Sequence, residues 1–226
     1  MAAREEILGR LRAKLGHSSA LNGESPALKR IEDHHKNLIP KRGSLDKAQR
    51  VDLFVQEATR VNATVVRVES FDDVPDQVSA YLREHQLPAK IKIAPHDSLQ
   101  SLNWQQKTSL MVDEGRGKGD DGVSVSVAYG GVAETGTLVM SSGPQTPTSL
   151  NFLPLDHIVV LEADRIAGDY EAVWERLRAE SGPGKLPRTV NWITGPSRTA
   201  DIEQTLLLGA HGPQRLHILI VDPSES

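Results

Sequence analysis

The chain has no cysteine among its 226 residues. That absence excludes a disulfide, a thiolate nucleophile and any thiolate-ligated zinc or iron–sulfur site on this polypeptide. Aromatic residues are scarce at 4%, which leaves few platforms on which the bases of a single strand stack. Long hydrophobic runs are missing as well. No apolar stretch approaches the roughly 20 residues that cross a bilayer, and charges interrupt the apolar positions of the opening MAAREEILGRLRAKLG. The expectation is a cytoplasmic protein with no membrane span and no nucleic-acid partner.

What is present is an uneven charge. The net value is only −4, yet residues 1–50 hold 11 Lys/Arg against 6 Asp/Glu and the remainder holds 15 against 24. A basic arm on an acidic body docks an acidic partner or folds back on its own domain or on a second copy in a homo-oligomer. The length suffices for a full core without staples.

Ile7, Leu8, Leu11 and Leu15 recur at helical spacing and predict a short amphipathic helix ending at Gly16 that docks rather than standing free. His17 to Gly43, broken by Pro26 and Pro40, lacks a period and reads as an irregular arm. Ser44 or Asp46 then caps a helix whose buried stripe is Val51, Phe54, Val55, Ala58 and Val61. From there strands and helices alternate: strand Thr64–Val68, helix Asp73–His85, strand Lys90–Ala94, an ambiguous stretch to Glu114, strands Val123–Val127, Thr137–Met140 and Ile158–Leu161, helix Tyr170–Arg178, and strands Val190–Ile193 and Leu216–Val221. This is the grammar of an α/β domain with a mainly parallel sheet flanked by helices, with residues 1–45 as an N-terminal helix and arm and residues 46–226 as the domain.

Two polar clusters interrupt the alternation. Thr194–Pro213 reads TGPSRTADIEQTLLLGAHGP and follows a strand, where open α/β sheets place ligands at carboxyl ends. Gly195, Ser197, Arg198 and Thr199 are candidates to grip a carboxylate or phosphate beside a helix N-terminus. Asp201 and Glu203 read as residues that cap that helix and pair with Arg198. His211, set among Gly209, Gly212 and Pro213, either points into a cleft or bonds a carbonyl within a turn. The second cluster, Gly130–Thr137, offers Glu134 as base or nucleophile and Thr135, Gly136 and Thr137 as an anion-binding turn. Its plainer role is a tight glycine turn in which Glu134 satisfies amides.

Other strings carry less. Gly117-Lys118-Gly119-Asp120-Asp121-Gly122 matches G-x-G-x-x-G, but a strand pattern follows where a dinucleotide site needs a helix. It reads as a surface turn. The eight histidines, including the adjacent His34 and His35, form no metal-ligand spacing, so no metal is expected.

AETGTLVMSS at Ala133–Ser142, LPLDHIVVLEAD at Leu153–Asp164 and GPSRTADIEQTLLLGAHGP at Gly195–Pro213 together resemble the lactate-utilisation protein C family, which carries the LUD domain. With the N-terminal helix and arm, the resemblance covers nearly the whole chain. It implies a fold similar to the ribose-phosphate isomerase, glucosamine-phosphate deaminase and CoA-transferase group. It also implies a part in oxidising L-lactate to pyruvate beside iron–sulfur partner proteins, with no cofactor on this chain. In that setting Arg198 becomes the carboxylate clamp and His211 and Glu134 the catalytic candidates. A non-catalytic metabolite-binding subunit and a CoA-transferase-like or ligase-like enzyme are the rival expectations.

Overall fold

The computed structural model describes residues 2–14, 26–36, 38–105, 110–182, 184–199, 207–209 and 211–223. Two compact units divide the chain, residues 1–38 and residues 39–226. The first contains helices α1 (Ala2–Lys14) and α2 (Pro26–Asp33). Arg10 donates to Glu6 one turn away at 2.8 Å on α1, a pairing that supports an exposed helix by a few tenths of a kcal/mol. Ile7 stands 59% exposed. Helix α2 corrects the expectation of a wholly irregular arm: Pro26 takes the first helical position, where its missing N–H has no intrahelical partner to lose.

The second unit opens with α3 (Lys47–Arg60). Asp46 accepts from the Gln49 amide at 2.9 Å, and the Gln49 side chain accepts from the Asp46 amide at 3.3 Å, a reciprocal capping box. Then come β1 (Thr64–Val68), α4 (Val74–Glu84), β2 (Lys90–Ile93), the short α5 (Asp97–Gln100), β3 (Met111–Glu114) and β4 (Val123–Val127). A smaller excursion follows with β5 (Gly130–Val132) and β6 (Thr137–Ser141), before the chain returns as β7 (Asp156–Glu162). After β8 (Ile166–Ala167), α6 (Tyr170–Ser181) is capped by Asp169, which accepts from Ala172 N at 2.9 Å. The chain closes with β9 (Val190–Ile193), β10 (Arg198–Thr199), β11 (Leu207–Leu208) and β12 (Arg215–Val221).

Six strands form one parallel sheet in the order β1-β12-β7-β4-β2-β3. Its central strands are apolar on both faces because both faces are covered. Along β7, Ile158 and Val160 face the side packed by Val74, Val78 and Leu82 of α4. Val159 and Leu161 face the opposite side with Val51, Phe54 and Ala58 of α3. The period of two thus splits the core into two layers.

A second sheet, β8-β5-β6-β9, lies on the α3 side, with β5–β6 and β6–β9 antiparallel and β5–β8 parallel. Leu138, Met140 and Ile166 turn inward from it, while Val132, Val139 and Ala167 pack outward with Val173 of α6. Strands β3, β5 and β8 were not legible as strands. Gly130 and Gly131 of β5 carry no side chain that could display an alternation, and Gly131 has none because a Cβ there would stand 2.9 Å from the Phe54 ring.

Candidate functional site

The loop after β9 returns to β12 as a tied excursion. Ser197 N donates to the Pro213 carbonyl at 2.9 Å and Gly209 N donates to the Ser197 carbonyl at 3.0 Å. Arg198 pairs with Leu208 and Thr199 with Leu207 in the two-stranded β10–β11 ribbon. Gly195 makes the entry turn at φ +74°, where a Cβ would lie 2.3 Å from the Val61 carbonyl oxygen. Only glycine takes that left-handed conformation against that backbone without strain.

This excursion walls a cleft of about 280 Å³. Gly195, Ser197, Arg198 and His211 line one side, and Asn151, Phe152, His157 and Trp192 complete it. His157 and Leu216 are the second residues of β7 and β12, so the cleft opens at the amino-terminal ends of the parallel strands. The expectation of a carboxyl-end site is corrected here. Strand β9 belongs to the smaller sheet, and its carboxyl end delivers the loop to the opposite rim of the main one.

Arg198 is exposed, and its Nη2 donates to the Val61 carbonyl at the C-terminal end of α3. It therefore sits against a helix C-terminus, while the helix expected to begin just after it falls on residues 200–206, outside the described residues. The partial negative charge there suits a guanidinium, and among the described residues no other side-chain partner occupies the fork's remaining N–H groups. His211 is exposed at the cleft. The side chain of Thr199, together with Asp201 and Glu203, lies outside the described residues.

His157 is the lining residue that sequence reasoning missed. It is 1% exposed, its Nε2 lies 2.7 Å from Ser126 Oγ, and its Nδ1 has no hydrogen-bond partner among the described residues. Burial pushes its pKa down to about 3, so the ring is neutral at physiological pH. The available signal was a histidine heading the otherwise apolar HIVV run of a central strand.

Its neighbour Asp156 points the other way. Arg215 grips that carboxylate through Nε at 2.5 Å and Nη2 at 2.8 Å, and the Tyr81 hydroxyl donates to it at 2.6 Å. Burial, followed by that hydrogen bond, raises the Tyr81 pKa. Beside it His217 Nδ1 meets Thr64 Oγ1 at 2.7 Å. Burial, with His85 nearby, lowers the His217 pKa to about 4. These groups satisfy one another and close the sheet's amino-terminal rim on the α4 side.

The Ala133–Thr137 cluster does not line the cleft. Gly136, at φ +63°, packs so tightly on α3 that a Cβ would stand 2.2 Å from Ala58 N. Thr135, Thr137 and the Tyr170 hydroxyl form a triangle with sides of 2.7, 3.0 and 3.0 Å. Thr137 also meets Thr194 at 2.7 Å, a hydroxyl contact through which the cluster reaches the start of the cleft loop. Glu134 is 5% exposed, and Arg42 Nε approaches its carboxylate at 3.5 Å. Among the expected site residues, the structure brings Gly195, Ser197, Arg198 and His211 together. Glu134, Thr135, Gly136 and Thr137 stand behind them. The described residues hold no group of three metal-ligating side chains and no helix long and apolar enough to cross a membrane.

Fold and cleft together define an α/β protein with a parallel six-stranded sheet, a smaller mixed sheet and a strand-end pocket. The LUD domain family matches residues 51–221, and the chain belongs to that family. An uncharacterized protein of Neisseria meningitidis serogroup B is 39% identical over 99 residues, 43% of this chain and 41% of that one. The lactate utilization protein C of Bacillus pumilus is 26% identical across 97% of this chain and 96% of its own. A crystal structure of a DUF162 family protein from Deinococcus radiodurans superimposes with a TM-score of 0.58 at 18% identity, covering 79% of this chain and 99% of that one. At that identity the likeness concerns the fold.

Proposed function

We propose that this chain works in lactate utilisation, holding the organic acid in the Gly195–Pro213 cleft for oxidation to pyruvate alongside iron–sulfur partner proteins. The observation that carries the reading is the presence of Arg198 and His211 on the wall of one small cleft. Support of a different kind comes from the full-length similarity to a protein named for lactate utilisation.

Conversion of lactate to pyruvate removes two electrons and two protons, one proton from the hydroxyl and one from the carbon that bears it. Arg198, steadied by the Val61 carbonyl, offers its free N–H groups to the carboxylate. The His211 imidazole takes the hydroxyl proton, while the carbon-bound hydrogen and the two electrons leave to an acceptor that the iron–sulfur partner proteins supply. Neutral His157 adds a polar wall without adding charge. With no cysteine, the chain does not fit an iron–sulfur cluster, so the electron acceptor belongs to the partners.

The test is lactate-dependent reduction of an artificial acceptor by the chain reconstituted with its iron–sulfur partners. Arg198→Ala and His211→Ala are each expected to lower turnover at least tenfold, in line with the usual size of a charged contact or a general base. Undiminished turnover in both variants overturns the catalytic cleft. One observation favours a subunit that binds the acid without reacting: among the described residues no carboxylate lines the cleft, and Glu134 is held by Arg42 outside it. In that case Arg198→Ala abolishes lactate binding while turnover by the complex persists.

A further inference from the structure

A second cavity, of about 370 Å³, opens between the turn that follows β3 and the loop that follows β6, and it shares no lining residue with the acid cleft. Arg116 and Gly117 line it from the first segment, and Ser142, Thr146, Thr148 and Ser149 from the second. Its walls are fixed by the fold. Gly143 and Thr146 exchange backbone hydrogen bonds at 3.4 and 3.2 Å, and Thr146 Oγ1 donates to the Ser141 carbonyl at 2.6 Å. Leu150 is fully buried, and its carbonyl accepts from Ser124 Oγ of β4 at 2.8 Å. The Gly117 backbone lies so close that a Cβ would stand 2.8 Å from the Ser149 carbonyl oxygen, which sets Arg116 beside the hydroxyl-bearing loop.

The hydrogen-bond accounts of this cavity do not balance. Ser142 Oγ accepts from the Thr189 amide at 2.9 Å, so its own proton has no acceptor among the described residues. Ser149 Oγ is shielded from solvent and has no partner among the described residues. The exposed Arg116 guanidinium forms no ion pair among the described residues, and no carboxylate lines the cavity. A guanidinium and hydroxyl groups line the cavity with no carboxylate among its described lining residues, a set that an anion rich in acceptor oxygens fits.

We propose that this cavity binds a small phosphate-type oxyanion, either inorganic phosphate or a monoester of a small polar molecule. A tetrahedral oxyanion presents oxygens in several directions, which matches hydroxyls on one wall and a guanidinium on another. A planar carboxylate presents two. The volume leaves room for a small organic group beyond the phosphate.

Isothermal titration calorimetry of the full chain at low ionic strength, with inorganic phosphate and separately with glycerol phosphate, tests the assignment. Saturable 1:1 binding is expected. Arg116→Ala is expected to weaken it at least tenfold, Ser149→Ala several-fold, and Arg198→Ala in the other cleft not at all. Because Arg116 is exposed, its alanine variant keeps the melting temperature of the free protein, which separates lost binding from lost folding. Tighter binding of the monoester assigns the rest of the cavity to an organic group, and equal binding assigns the site to the phosphate itself. Absence of saturable binding, indifference to Arg116→Ala, or loss through Arg198→Ala overturns the proposal. None of these outcomes depends on whether lactate occupies the first cleft.

Discussion

Single residues decide the shape of the acid cleft, and Gly195 is the sharpest case. Gly195→Ala forces a side chain into a left-handed conformation against the Val61 carbonyl. The expected cost is about 1–3 kcal/mol, measured as a shift in the urea midpoint. The sequence offered Gly195 as one residue of an anion grip; the structure places it on the cleft wall with its backbone packed against the end of α3. His157 and His217 show the reverse, since a histidine set in an apolar run was the one local sign that either is buried and neutral. Both have folded pKa values below the ordinary 6.5, at about 3 and about 4. On acidification the unfolded chain therefore takes up protons first. Their stabilising effect is whole above pH 6.5 and is lost as pH falls toward 4 for His217 and toward 3 for His157, at roughly 1 kcal/mol per pH unit for each. Urea unfolding between pH 7 and pH 4.5 checks this. His217→Gln is expected to flatten the slope, and an unchanged slope argues against a neutral buried imidazole packed between Thr64, Tyr81 and His85.

Elements carry the next set of consequences. Helix α3 touches both the AETGT turn through Gly136 and the cleft loop through Val61, so its position sets theirs. Asp46→Ala removes the capping box and is expected to cost about 1 kcal/mol, seen in thermal or chemical unfolding. Thr137→Val removes the hydroxyl that joins Thr135, Tyr170 and Thr194. It removes one hydrogen bond from each of these part-buried or exposed hydroxyls, at about 1 kcal/mol. If the cluster only supports the cleft, lactate affinity in this variant changes far less than in Arg198→Ala. The same titration on both variants shows which holds. The apolar runs of β1, β4, β7, β9 and β12 were legible because their length and β-branched composition stand out locally. Strands β3, β5 and β8 were not, because they are short and owe their pairing to neighbours distant in sequence.

At the scale of the whole molecule, the two sheets create two separate openings, one at the amino-terminal rim beside β9 and one between the β3 and β6 turns. A thermal-shift series reports on both, since a ligand that binds only the folded state raises its apparent stability. Lactate is expected to raise the melting temperature of the wild type but not of Arg198→Ala. Phosphate is expected to raise it in Arg198→Ala but not in Arg116→Ala. A single variant that loses both responses would show that the openings act as one.

The amino-acid sequence by itself determined the class of fold, the parallel grammar of the sheet and the segment that walls the cleft. Each of these is written in local apolar periodicity and in the turn residues that interrupt it. Thr194–Pro213 was legible for that reason, and Arg198 and His211 with it. Only the tertiary structure decided which rim of the sheet the cleft occupies, that His157 joins it and that Glu134 does not. Those outcomes rest on contacts across long separations, such as Arg198 with Val61 and Gly136 with Ala58. No window along the chain contains both partners of such a contact, so its energy leaves no local mark.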